Sequence, residues 1–186
     1  LNMKRSVNGG GGIVPDINVA PIKPPAFISS LWKESLFLSF SSEYINKNKI
    51  SNLDFEISSK VLDDFESYCD NLKSDISYSL PGERELQIMK EKLDINTNNS
   101  FSLFRDNASI SRNIKKMEKY YLKEKSRQFS KKENKKWLIN GLEREFSRII
   151  NGESARLGAS LKVDSEYDEA IRILTSPNEY YSLLGF

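Results

Sequence analysis

Through most of the chain, apolar residues recur every three or four positions, the spacing of one face of an α-helix. Phe27, Ile28, Leu31 and Trp32 open the series, and Leu36, Phe37, Phe40, Tyr44 and Ile45 continue it, which predicts one long or broken helix over about 26–47. After a short link at 53–57, Ser58 stands where a helix needs a side-chain acceptor for its first free N–H groups. Val61, Leu62, Phe65, Tyr68, Cys69 and Leu72 then repeat at helical intervals, with Asp63 and Asp64 toward the positive end. Ser79-Leu80-Pro81-Gly82 punctuates, and helix resumes over 83–93 with Leu86, Met89 and Leu93 turned inward.

The second half continues in the same period. A polar loop at 96–100 precedes a lysine-dense helix from about Asn107 to about Arg127. Ser130-Lys131-Lys132-Glu133 has the form of a capping box, in which a Ser hydroxyl and a Glu carboxylate satisfy each other's backbone N–H. The helix it introduces carries Trp137, Leu138, Leu142, Phe146, Ile149 and Ile150 on one side and is interrupted or ended at Asn151-Gly152. A weaker helix covers 153–163, since Gly158 lowers its propensity. Asp164 or Ser165 caps a short helix with Tyr167, Ala170, Ile171 and Leu174 at the core spacing, and Ser176-Pro177 starts a last one. The closing Tyr180, Tyr181, Leu183, Leu184 and Phe186 are expected to dock on this domain or to mark a contact with a partner.

Only the first 25 residues break this period. Gly9 to Gly12 are four consecutive glycines, which permit positive φ and close backbone approach, so they predict a sharp reversal between two extended segments, 3–7 and 13–19. Val14 is held extended by Pro15. A phosphate loop is not indicated, because neither the dinucleotide nor the Walker spacing is present and no helix signal follows. Ala20-Pro21-Ile22-Lys23-Pro24-Pro25 cannot be helix interior and marks a boundary between 1–25 and 26–186.

Composition narrows the chemistry. The 186 residues are long enough to bury a core, and a mean hydropathy of −0.53 with 29% charged residues suits many surface helices. With no histidine and one cysteine, Cys/His zinc sites and a Ser-His-Asp triad are excluded within this chain. No EF-hand pattern occurs and no cofactor is expected. Cys69 lies on an apolar stripe and reads as a small buried hydrophobe. No apolar run approaches the roughly 20 residues needed to span a bilayer. Charge is uneven: 112–136 holds eleven Lys/Arg against three Asp/Glu, a local +8 within a total of +2. Lys115, Lys119 and Lys123 follow one another by four, with Tyr120 and Tyr121 between them. Such an edge is either a solvated helix face with the tyrosines packed inward, or a freestanding basic module contacting nucleic acid or another anionic partner.

The segment Gly9-Gly10-Gly11-Gly12-Ile13-Val14-Pro15-Asp16-Ile17 closely resembles the motif that ends the catalytic domain of carboxyl-terminal processing, or tail-specific, serine peptidases. Leu36 to Tyr44, 55–68 and 138–174 resemble the helical parts that follow it there, less specifically. Asn8 departs from the pattern, standing where an aromatic residue often precedes the glycines, and the lysine-rich stretch is heavier than in that family. The resemblance implies a mainly α fold, a multi-helix C-terminal domain preceded by a short β-hairpin-like segment that belongs to the sheet of an α/β protease domain. It implies a Ser/Lys catalytic dyad upstream of Leu1, so that Gly9, Gly10, Gly11, Gly12, Ile13, Pro15 and Asp16 are structural and no residue here is catalytic. The implied partners are the protease and PDZ parts of the same polypeptide, protein or peptide substrates through them, and a homo-oligomer; the implied location is the periplasm or cell envelope.

Overall fold

The computed structural model describes residues 15–51, 56–72, 76–92 and 105–184. Among the described residues every regular element is an α-helix: α1 (Ala26–Lys33), α2 (Leu36–Asn48), α3 (Ser59–Asn71), α4 (Glu83–Lys92), α5 (Arg105–Lys125), α6 (Lys132–Asn151), α7 (Glu153–Leu161), α8 (Ser165–Leu174) and α9 (Pro177–Leu184). The mainly α expectation holds. The expected strand at 13–19 does not, where it can be followed: 15–25 is irregular, its prolines lack the N–H that a ladder needs, and no strand lies among the described residues to pair with it.

The apolar run at 26–47 is a broken helix. Ser35 adopts the left-handed conformation (φ 56°), which bends the path sharply between α1 and α2 and lets both send apolar faces to one centre. Ser58 caps α3 as its position predicts, its Oγ accepting from the Val61 N–H at 3.4 Å. The capping box at 130–133 fails. Lys131, not Ser130, is the N-cap of α6, and the Ser130 hydroxyl donates instead to the Arg127 carbonyl at 3.0 Å, in the tight turns that end α5. That corner is fixed by buried Asn134, whose Nδ2 donates to the Gln128 carbonyl at 2.8 Å.

The core is built by α1, α2, α3 and α6 around Ile28, Leu31, Phe37, Phe65 and Leu142, all fully shielded from solvent. Phe37 stacks on Phe65 with ring centroids 5.1 Å apart and lies 4.5 Å from Trp32. Each such side chain contributes about 1.5–3 kcal/mol by burial, more where rings meet in favourable geometry. Gly141 lets α6 cross this cluster closely, since a Cβ there would fall 2.5 Å from the Phe37 ring. Gly152, at φ 85°, ends α6 and α7 folds back along it.

Outside this core the helices pair locally, α4 with α5 and α8 with α9. Met89, Tyr167, Ile171 and Leu174, placed inward by their spacing, are exposed as a result, and so are Leu72 and Ile149 near the C-terminal ends of the core helices α3 and α6. The 180–184 tail forms α9 and meets α8, with Tyr180 and Tyr181 open to solvent, so the described part of the tail does not dock into the main core.

Candidate functional site

The irregular segment 15–25 runs into α1 through Pro25, whose extended ψ of 153° and carbonyl start the helix, accepting from Ser29 N–H at 3.0 Å. On its way it forms one wall of a cleft of about 590 Å³, to which Pro21, Ile22 and Pro24 contribute. Trp32 of α1, Trp137, Asn140 and Arg144 of α6, and Ser160 of α7 supply the rest, together with the start of α8. Trp137, Asn140 and Arg144 are spaced by three and four, so one helical face brings them together. The helices behind the cleft are tied: Asn140 Nδ2 donates to the Ala159 carbonyl at 2.7 Å, and Ser165 Oγ donates to the Ala20 carbonyl at 3.2 Å.

Arg144 is the unusual group in this cleft. Its guanidinium lies over the Trp32 ring, 4.6 Å from the centroid, and its Nε is shielded from solvent with no hydrogen-bond partner. Burial pushes its pKa down from the ordinary arginine value, and the neighbouring Arg156 pushes it the same way, against the opposing pull of Glu145 and Glu153. Those carboxylates have closer partners. Glu145 Oε2 sits 3.0 Å from Arg148 Nε, an ion pair without hydrogen-bond alignment, and Glu153 binds Arg156.

Two apolar surfaces lie elsewhere. On α8 and α9, Tyr167, Ile171, Tyr180, Leu174 (61% exposed) and Tyr181 (54%) face solvent. The hairpin's shape is held by Arg172, which donates to Glu169 at 2.7 Å and to Glu179 at 2.6 Å and lowers the pKa of both carboxyls. Between α4 and α5, a second cleft of about 590 Å³ is lined by Leu86, Tyr121 and Leu122 and bridged by ion pairs Lys90 to Glu118 and Lys125 to Glu83.

Of the lysines in the basic stretch, Lys125 is paired with Glu83 from outside it and Lys131 with Glu124 inside it at 3.0 Å, while Glu118 is taken up by Lys90 of α4. Lys115, Lys119 and Lys123 are exposed, as their spacing predicts. Tyr121 is half-buried and donates to the Pro81 carbonyl at 3.0 Å, whereas Tyr120 is exposed, so only one of the two tyrosines packs inward. Cys69 is buried, and desolvation followed by the nearby Asp70 and Glu66 charges pushes its thiol up to about 12.

Of the motif residues, Gly9, Gly10, Gly11, Gly12 and Ile13 lie outside the described residues, as do the strand at 3–7 and the loop at 96–100. Pro15 and Asp16 are exposed at the start of the connector. Trp32 and Trp137 meet at the same cleft. Arg144 and Asn140 were missed, because at about 100° per residue they fall on the side of α6 away from Leu142 and Phe146, where polar residues read as solvent-facing. Among the described residues no three His, Cys, Asp or Glu side chains gather as a metal site, and no helix is long and apolar enough to cross a membrane.

A family model described as "Probable PDZ-protease, C-terminal helical domain" matches residues 27–174, from the first turn of α1 to the end of α8. No curated protein and no solved structure matches the chain.

Proposed function

Since the chain belongs to the C-terminal helical domain of the probable PDZ-proteases, we propose that it is the non-catalytic helical region of a carboxyl-terminal processing serine endopeptidase. In this reading the parent enzyme cuts with a serine activated by a neutral lysine, and both lie in the protease part of the same polypeptide. The observation that carries the proposal is the family match over 27–174, which links the helical core to a protease. The glycine motif at 9–17 supports the narrower Ser/Lys assignment by resemblance, and the absence of histidine is compatible with it.

The chain then acts as a scaffold, lid or oligomerisation surface. Segment 1–25 completes or abuts the protease sheet, and 26–186 forms the helical domain. The exposed apolar hairpin of α8 and α9 supports this role because α8 starts beside the connector, where Ser165 meets Ala20. With it we propose a periplasmic or cell-envelope location, on the resemblance of the glycine motif alone. A truncation before Tyr180 in the protease-containing polypeptide tests the role of the hairpin. A lower melting temperature or an altered oligomeric state is expected; a truncated protein with the stability and mass of the intact one would remove α9 from the proposal.

A further inference from the structure

We infer that the cleft between the connector and α6 is a receptor for a carboxylate flanked by an apolar group, with Arg144 as its anchor. Three guanidiniums, Arg144, Arg148 and Arg156, share this corner with two carboxylates, Glu145 and Glu153. The carboxylates pair with Arg148 and Arg156, which leaves Arg144 without an ion-pair partner; Asp164 and Glu166 line the same cleft, and neither comes within 4.0 Å of it. Of the three described arginines that are half-buried, Arg144, Arg148 and Arg156, Arg144 alone has no carboxylate oxygen within 4.0 Å. It also makes none of the hydrogen bonds formed among the described residues, and its Nε is sealed off from water.

Such a group costs stability while unpaired, because its charge is partly desolvated and its shielded Nε–H has no acceptor. A guanidinium held over an indole, as Arg144 is over Trp32 at 4.6 Å, loses rotamer freedom against the ring and keeps the planar fork that suits a carboxylate. The surrounding walls set the rest of the ligand. Pro21, Ile22, Pro24 and Trp137 are apolar, and Asn140, the polar neighbour on α6, already donates to Ala159. Asp164 also lines the cleft, but its carboxylate is engaged as the cap of α8, accepting from Glu166 and Tyr167 N–H.

The inference stands independently of the peptidase assignment and is tested on the 186-residue chain with 3-phenylpropionate and its neutral amide, 3-phenylpropionamide. Two-dimensional NMR follows the Arg144 Nε–H and the indole N–H of Trp32 and Trp137. The acid is expected to shift all three signals saturably, with at least about a tenfold preference over the amide. Arg144→Gln is expected to abolish the indole response while the unliganded indole shifts report an intact fold. Equal responses to acid and amide, no movement of the Arg144 signal at saturating acid, or an indole response that survives in Arg144→Gln would each overturn the inference. The wild-type acid and amide arms decide the matter even if the variant misfolds. Repeating the titration on the protease-containing polypeptide identifies the source. Loss of the response there supports a carboxylate supplied by the protease part; retention supports one carried by a separate molecule.

Discussion

At Gly141 two demands on one position oppose each other. Alanine would raise helix propensity by about 1 kcal/mol, yet its Cβ would press on Phe37, which is wedged between Trp32 and Phe65 and has no room to yield. Overpacking of about 1–3 kcal/mol outweighs the propensity gain, so Gly141→Ala is expected to lower the urea midpoint; a raised midpoint would show that the α2 and α6 crossing is looser than described. Cys69 offers a second check. With its thiol pushed up to about 12, the thiolate fraction at pH 8 is on the order of one part in ten thousand. The native chain is expected to resist iodoacetamide until it is unfolded in urea, and rapid alkylation in buffer would contradict the burial of α3. Ser58 and Asp164 were legible as caps because a cap needs only a short oxygen-bearing side chain at the right step. Ser130 has the same chemistry but was misread, since the preceding turns claimed its hydroxyl first.

For whole elements, periodicity located the helices well and their partners poorly. The stripe of Tyr167, Ala170, Ile171 and Leu174 has the spacing of a core helix, and α8 forms where expected. A stripe states that a face is apolar, not what covers it, and here the main core is already filled by α1, α2, α3 and α6. The α8 and α9 pair is instead held by Arg172 bridging Glu169 and Glu179. Both carboxyls have folded pKa values below their unfolded ones, chiefly through their hydrogen bonds to Arg172. The clip therefore contributes stability above the unfolded carboxylate pKa and loses it as pH falls through the lowered folded values. Arg172→Ala is expected to speed amide exchange over 177–184 at neutral pH, with the difference from wild type shrinking as pH falls through the lowered carboxyl values. Identical exchange at neutral pH would show that the apolar contacts alone hold the hairpin. The basic edge of α5 was legible as exposed lysines, but the ion pairs Lys125 to Glu83, Lys90 to Glu118 and Lys131 to Glu124 were not, because they form across separate helices or around the turn after α5.

In the molecule as a whole, the all-helical core, the proline-bearing connector and the protease family are linked. The break at Ser35 and the closeness at Gly141 gather four helices around the phenylalanines, and the connector reaches that core beside Trp32 and Trp137. The helical class was legible because apolar residues at one period dominate the sequence from 26 to 186. The cleft was not, because Arg144 looks like one surface charge among 28 until folding removes every partner but an indole ring. The exposed hairpin and the orphan guanidinium both suit a domain completed by other protein. The central claim is that the chemistry lies outside these residues. Peptide hydrolysis measured side by side for the 186-residue chain and for the protease-containing polypeptide tests it most directly. The account predicts no cleavage by the chain alone, and cleavage by the longer protein that stops when a serine of its protease part is changed to alanine. Cleavage by the chain alone, stopped by changing one of its own serines, would contradict it.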